Sequence, residues 1–327
     1  MRAISTRRQR AFVLFVVVLA GLTAWSVTPA AAAKPRPPEA VNLAYCLDLP
    51  GAAMFNSLTR LASSNTARSI DGRSEKNTSA ITADSTIPSG EEPTTSTSFS
   101  ATIPVYFHVI TDGRTGYLSR ATVRAQIDVL NRAYAGGYGG VNTGFQFALQ
   151  QTTYTDNAEW FAQETFAAEV AMKDALQTGD STTLNLYTTS GGGFLGWAYY
   201  PKIVTSQKYE VLDGTVIHYG SVPGGPIANF NLGHTATHEV GHWLGLAHTF
   251  EQGCQGHGDY VDDTPAMSIP TSGCPSGKDT CPEPGLDPIH NYMDYSFDTC
   301  YNQFTAGQAA RMQEQWLHWR VKHGYHD

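Results

Sequence analysis

Residues 238 to 248 read HEVGHWLGLAH, which sets three histidines and one glutamate within a single short stretch. His238 and His242 are four positions apart, so on a helix their imidazoles stand one above the other on the same face. Two rings so placed can share one zinc ion at roughly 2 Å each. Glu239, one residue past the first histidine, is badly placed to bind the same ion but well placed to act as general base toward a water on it. His234 lies four residues before His238, yet a rise of about 1.5 Å per residue puts it about 12 Å from His242, too far for one ion to collect both. His248 is the better third ligand, provided that the chain turns back. Gly245 supplies the turn, because glycine takes positive φ readily and can end the helix so that His248 returns to the metal. Histidines scattered by chance on a helix are the plain alternative. The joint spacing of three histidines, the glutamate and the glycine disfavours it.

The start of the chain points to export. Arg2, Arg7, Arg8 and Arg10 precede AFVLFVVVLAGLTAW and SVTPAAAAK, the charged, apolar and small-residue pattern of a secretory signal peptide over residues 1–33, with cleavage expected at Ala30 to Ala33. The apolar run is short for a membrane anchor and ends in Pro and Ala. No later stretch is apolar enough to cross a bilayer, so no stable membrane association is expected. A formal net charge of −8 and a pI near 5.7 argue against a nucleic-acid partner.

Five cysteines remain to be placed in an exported chain. Cys254, Cys274, Cys281 and Cys300 cluster near the C-terminus and suit two disulfides in an oxidising compartment, with every pairing open on spacing alone. A second zinc would more usually show C-x-x-C spacing. Cys46 stands apart, in VNLAYCLDLPGAAMFNSLTRLA, the one apolar island of a Ser- and Thr-rich segment over residues 34–100. That composition reads as a propeptide and linker, since it buries too little surface to offset chain entropy. A thiolate is a strong zinc ligand, so Cys46 is a candidate inhibitory ligand that silences the precursor. Arg68 and Arg73 are candidate sites for propeptide removal.

Order is expected over residues 101–327. TIPVYFHVIT is β-branched and aromatic and reads as a strand. Ser119 is a plausible N-cap for a helix in which Val123, Ile127, Leu130 and Tyr134 recur at helical spacing. GFQFALQQTTY, STTLNLYTTS, GFLGWAYYP and DGTVIHYGSVP read as further strands. The histidine stretch lies on a second helix, Leu232 to Leu244, and a last helix starts at Thr305, with Gln308 completing a capping box and Met312, Trp316 and Trp319 on one face. Strand, helix and several strands indicate an α/β sheet backed by a helix.

HEVGHWLGLAH followed by NYMDY resembles a metzincin metallopeptidase, H-E-x-x-H-x-x-G-x-x-H with a Met-turn. IPVYFHVI, DGTVIHYGSVPGG, THEVGHWLGLAHTF, DYVDDTPA and NQFTAGQAARM are similar, more closely, to the pappalysin family, over about residue 100 to the end. The resemblance implies an α/β (α+β) catalytic domain: a twisted, mainly parallel sheet with an antiparallel edge strand, a backing helix, an active-site helix, and an irregular C-terminal subdomain with a Met-turn and a C-terminal helix. It implies Met293 beneath the zinc site, Tyr295 as the tyrosine that stabilises the tetrahedral intermediate, and the pairs Cys254–Cys281 and Cys274–Cys300. It also implies calcium at Asp259 and Thr264 with the carbonyls of Gly258 and Val261, although Asp259, Asp262 and Asp263 lack EF-hand spacing and by residue type read as a solvated acidic loop. Relatives that prefer a basic residue after the cut carry an acidic residue directly before the last loop cysteine. Here that position is Thr299, with Asp298 one further back, so basic specificity does not follow.

The expectation is a secreted, monomeric zinc endopeptidase made as a zymogen, acting on protein or peptide substrates, with GFLGWAYY along the cleft edge pairing with an extended substrate. A secreted binding protein that keeps the zinc helix as a structural element would need no Glu239 and would supply a fourth protein ligand. A zinc hydrolase acting on non-peptide bonds is the other alternative.

Overall fold

The computed structural model describes residues 99–256 and 258–325. The expected signal peptide, Cys46, Arg68, Arg73 and nearly all of the expected propeptide lie outside the described residues.

Strand β1 (Ala101–Thr111) runs through the sheet, and Val105, Phe107, Val109 and Ile110 along it are fully buried. Strand β2 (Phe145–Asp156) pairs with it in parallel on one side, with a register shift between Val105 and Tyr106. On the other side lie β3 (Leu184–Thr189), parallel to β1, and β5 (Thr215–His218), parallel to β3. Strand β4 (Gly196–Ala198) closes the order β2-β1-β3-β5-β4 as an antiparallel outer strand. Strands β3 and β5 are buried at every position, polar residues such as Asn185 and Thr188 included. The architecture is the expected mainly parallel sheet with one antiparallel edge. Strand β4 is much shorter than GFLGWAYYP suggests. Pro201, with its fixed φ and no N–H, begins a 3-10 turn over Pro201–Thr205 three residues beyond Ala198.

Helix α1 (Arg120–Tyr134) backs the sheet, with the Ser119 hydroxyl accepting the Thr122 amide and Val123, Ile127, Leu130 and Tyr134 buried. It also holds the histidine helix: Gln126 Nε2 donates to the Gly233 carbonyl at 2.9 Å, and the Tyr134 hydroxyl to the Thr237 carbonyl at 3.1 Å. Two helices are absent from the sequence reading, α2 (Ala158–Ala162) and α3 (Phe166–Leu176), capped by Asn157 and Thr165. Helix α3 escapes a periodicity search because its inward face carries a buried ion pair, Lys173 Nζ to Glu169 Oε1 at 2.8 Å. Trp197 Nε1 and the Tyr199 hydroxyl donate to the same carboxylate.

Helix α4 (His234–Trp243) carries the first histidines and is buried along its whole length. It begins two residues after Leu232 and ends one before Leu244. Helix α5 (Ala306–Gln315) opens with the Thr305–Gln308 capping box and continues as a π-helical segment, Trp316–His323. One apolar core joins β1, α1, α4, the turn around Met293 and the C-terminal helix through Phe107, Leu130, Trp243, Met293 and Trp316.

Candidate metal centre and active site

Helix α4 ends in a way that explains the third histidine. Gly245 stands at φ 102°, its amide donates to the His242 carbonyl at 2.8 Å, and the Leu246 amide donates to the Gly241 carbonyl at 3.0 Å. Those two bonds are the paired closure of a helix by a left-handed residue, and they reverse the chain. His248 thereby comes back over the helix. The Nε2 atoms of His238, His242 and His248 lie 3.0 to 3.1 Å from one another.

The outward nitrogens show how the rings are held. His238 Nδ1 meets the Tyr292 carbonyl at 2.6 Å, and His242 Nδ1 meets the Leu246 carbonyl at 2.7 Å. A carbonyl only accepts, so each of these Nδ1 atoms donates, and in the neutral ring Nε2 keeps its lone pair for the centre. Burial, then the neighbouring His242 and His248, pushes His238 well below the usual histidine range. Nitrogen ligands on a tetrahedral zinc at about 2.0–2.1 Å would stand about 3.3 Å apart, close to the spacing seen. This donor set fits zinc: three inward-facing imidazoles in a dry pocket, with lone pairs that repel one another unless a cation lies between them.

Glu239 is fully buried and lies against strand β4. A Cβ placed on Gly196 would come 2.8 Å from Glu239 Cγ and 2.9 Å from Oε1, so the bare backbone of the edge strand makes room for the carboxylate. Beneath the centre, a Cβ on Gly241 would come 2.5 Å from Met293 Sδ, so the thioether fits directly under the helix. Met293 is fixed from both sides. Its amide donates to Asn291 Oδ1, its carbonyl accepts from the Thr249 amide, and Asn291 exchanges two amide bonds with Gln308 of the capping box.

Tyr295 stands edge-on to His248 with ring centroids 4.9 Å apart and tilted to His238 at 5.8 Å. Two further aromatic rings reach the site. Phe250 stacks on His248 at 4.7 Å and 13°, and Tyr200 stands edge-on to His242 at 5.8 Å. Neither belongs to a spacing that a single sequence could flag. His234 turns away, as the helical rise requires, and packs among Tyr138, Tyr292 and Tyr301.

The structure pairs Cys254 with Cys281 and Cys274 with Cys300, tying the loops beyond α4. Of Asp259, Asp262 and Asp263, only Asp259 is buried. Its carboxylate accepts from the Thr264 hydroxyl at 2.7 Å and the Val261 amide at 3.1 Å, and burial pushes it up to about 7. Asp262 is exposed, and Asp263, also exposed, accepts from the Gly307 amide at the start of α5. Among the described residues, metal-holding groups of three or more side chains are the histidine triad and Cys254, Cys281 and Glu283, whose cysteines are disulfide-bonded. Thr299 is exposed, whereas Asp298 is buried with Oδ2 on the Leu232 amide at 2.7 Å.

Comparison with known proteins adds a consistent picture. The family described as pregnancy-associated plasma protein-A, within the M43 peptidases, matches residues 189–316. An extracellular metalloprotease of Pyricularia oryzae is 51% identical over 226 residues, which cover 67% of this chain and 76% of that protein. An extracellular metalloprotease of Neurospora crassa is 48% identical over 225 residues, covering 67% and 76% respectively. Among solved structures, Tannerella forsythia mature mirolysin in complex with a cleaved peptide superposes with a TM-score of 0.58 at 29% identity, over 68% of this chain and 94% of that one. A promirolysin mutant of the same organism gives a TM-score of 0.59 at 29% identity, over 68% and 83%.

Proposed function

The chain belongs to the pregnancy-associated plasma protein-A family of M43 metallopeptidases, and from that premise we propose which of its residues carry out peptide hydrolysis and how. It is a secreted zinc metalloendopeptidase of the metzincin type. The convergence of three Nε2 atoms at 3.0 to 3.1 Å, beside a buried glutamate, carries that reading.

His238, His242 and His248 hold the zinc, which when bound polarises the scissile carbonyl and makes water more acidic. Glu239 takes a proton from the attacking water at its carboxylate and passes it to the leaving amide nitrogen, so one group serves as base and then as acid. Its burial next to the first zinc ligand supports this role. Tyr295 donates its hydroxyl proton in a hydrogen bond to the oxyanion that forms on the carbonyl; its position against His238 and His248 supports that. An extended substrate lies along β4 and pairs through main-chain hydrogen bonds, since this is the outer strand of the sheet that lies against Glu239.

Residues 1–33 are removed as a signal peptide, residues 34–100 act as propeptide and linker, and residues 101–327 form the catalytic domain. The existence of a promirolysin among the similar structures supports a zymogen, with Cys46 as the thiolate that occupies the site until activation. Calcium binds Asp259 and Thr264 with the carbonyls of Gly258 and Val261; the Thr264 hydroxyl, 2.7 Å from the buried Asp259 carboxylate and 2.8 Å from the Val261 carbonyl, supports an oxygen-lined site there. The mature enzyme acts as a monomer on proteins and peptides and has no nucleic-acid partner. None of the described helices is long and apolar enough to cross a membrane.

The test is incubation of the purified mature protein with an unfolded protein substrate, with and without a zinc chelator. Cleavage that stops on chelation and returns with added zinc is the expected result. Cleavage indifferent to the chelator would overturn the reading.

A further inference from the structure

Helix α4 carries two of the three zinc ligands, and beyond the closure at Gly245 both of its ends lean on other parts of the chain. At its start, Gly233 sits at φ 92° and offers no side-chain cap. The first turn of a helix leaves amides without intrahelical partners, and the last turn leaves carbonyls. One member of each set, the His234 amide and the Trp243 carbonyl, is met here by a charged side chain from the far C-terminal part of the chain.

At the N-terminal end the acceptor is Asp298. Its Oδ2 takes the Leu232 amide at 2.7 Å and the His234 amide at 3.5 Å, while its own amide donates to the Asn229 carbonyl at 2.9 Å. The Cys274–Cys300 disulfide, two residues further on, ties this loop to residue 274. At the C-terminal end the donor is Arg320. Nε and Nη2 both reach the Trp243 carbonyl, at 3.1 and 2.9 Å, and the guanidinium lies 3.5 Å over the Trp243 ring. Arg320 is itself fixed by a bidentate pair with Asp213 at 2.8 and 2.9 Å and by the Ser181 carbonyl at 2.9 Å. Just past the helix, Arg311 Nε donates to the Gly245 carbonyl at 2.9 Å, at the bend that returns His248.

The signs are the favourable ones. A helix presents partial positive charge at its start and partial negative charge at its end, so an anion belongs at the first and a cation at the second. Trp243 is the residue after His242, and its carbonyl is the last of the helix before the reversal. A shift there moves the second and third ligands relative to the first.

We propose that Asp298 and Arg320 are positioning residues that clamp the zinc helix at its two ends, so that the C-terminal segment, with no ligand of its own, sets how tightly the histidines hold the metal. The proposal rests on the zinc reading above. It places the determinant of metal retention in residues 298 and 320, far from the binding motif in sequence.

The test measures zinc release rather than activity. Zinc-loaded mature enzyme, at pH 8 because burial pushes Asp298 up to about 7, is mixed with a chromophoric chelator, and the rate of zinc transfer is followed for Asp298→Asn, Arg320→Met and Arg320→Lys. Met172→Ala serves as the control. It creates a cavity in the separate apolar cluster of Ile110, Phe161 and Tyr187 and touches neither end of α4. Thermal melts place each variant on a common stability scale. Zinc should leave Asp298→Asn and Arg320→Met about 10- to 100-fold faster than it leaves a control of equal stability, the range for groups that orient metal ligands indirectly. Arg320→Lys keeps the charge and should recover part of the loss. If Arg320→Met does not fold, Asp298→Asn and Arg320→Lys carry the comparison. Release rates that follow melting temperature alone, with the control on the same line, would overturn the clamp and leave the metal site standing. A folded wild type that holds no zinc would overturn the metal site and the clamp together.

Discussion

The Leu246 amide donates to the Gly241 carbonyl at 3.0 Å, and this bond closes the helix and sets the return path to His248. It forms only because Gly245 between them stands at φ 102°, where a side chain is strained. A Cβ there would also come 2.6 Å from Gln315 Cγ. Gly245→Val should therefore cost about 1–3 kcal/mol in backbone strain alone and lose zinc on dialysis. Metal analysis of the folded variant decides it, and full occupancy would show that His248 does not depend on this turn.

Glu239→Ala should keep its zinc, because the three histidines are untouched, and lose about two to four orders of magnitude in turnover. Zinc content and steady-state rates on the same sample are the measurements. Near-normal proteolysis by the zinc-loaded variant would refute the role of base.

Gly196→Ala tests the fit between the edge strand and that base. The new methyl would press on Glu239 Cγ and on the Val216 carbonyl, both 2.8 Å from its ideal position. Since a misplacement of about 1 Å in a catalytic group can cost about a hundredfold, kcat should fall by about ten- to a hundredfold with zinc retained. An unchanged kcat would mean that the carboxylate moves aside at no cost.

Acid should destabilise the fold through its buried histidines. His108, hydrogen-bonded to Thr153 and Asn185, is pushed down to about 4 by burial, and His218 and His234 are likewise pushed down to about 4. Below the ordinary histidine value of 6.5 the unfolded chain then binds more protons than the folded one, so stability falls as pH drops from 6.5 toward 4. His108→Gln removes one such group and should flatten that slope by up to about 1.4 kcal/mol per pH unit. Denaturant melts at pH 4.5, 5.5 and 6.5 supply the slope; equal slopes for both proteins would count against it.

The zymogen reading predicts that full-length Cys46→Ser precursor matures early or is active before cleavage. Comparing uncut precursors of wild type and variant on a peptide substrate tests this. Equal silence in both would favour simple steric cover by the propeptide over a thiolate on the metal.

Much of the centre was legible in the chain because it is local. His238, His242, Gly245 and His248 lie within three turns' length of one another, and helical geometry with one glycine suffices to bring them together. The same holds for the Ser119 cap and the Thr305–Gln308 capping box, where side chain and backbone partners are three residues apart. Helix α3 was not legible, since Glu169 and Lys173 occupy its inner face and mimic an exposed charged pair; their burial depends on Trp197, Tyr199 and the Leu212 carbonyl, all distant in sequence.

The sequence by itself determined the ligand set and the point at which the chain must turn, and set Glu239 beside the first ligand, because these follow from bond geometry over a few residues. Only the tertiary structure decided what holds that unit still. Read along the chain, Asp298 is noticed only for its place before Cys300 and Arg320 is an ordinary base, and neither is marked as a partner of the histidine helix. They matter because folding brings a carboxylate to the helix's free amides and a guanidinium to its last carbonyl, and removes both from water. Electrostatic partners act through distance in space and burial, and a linear pattern records neither.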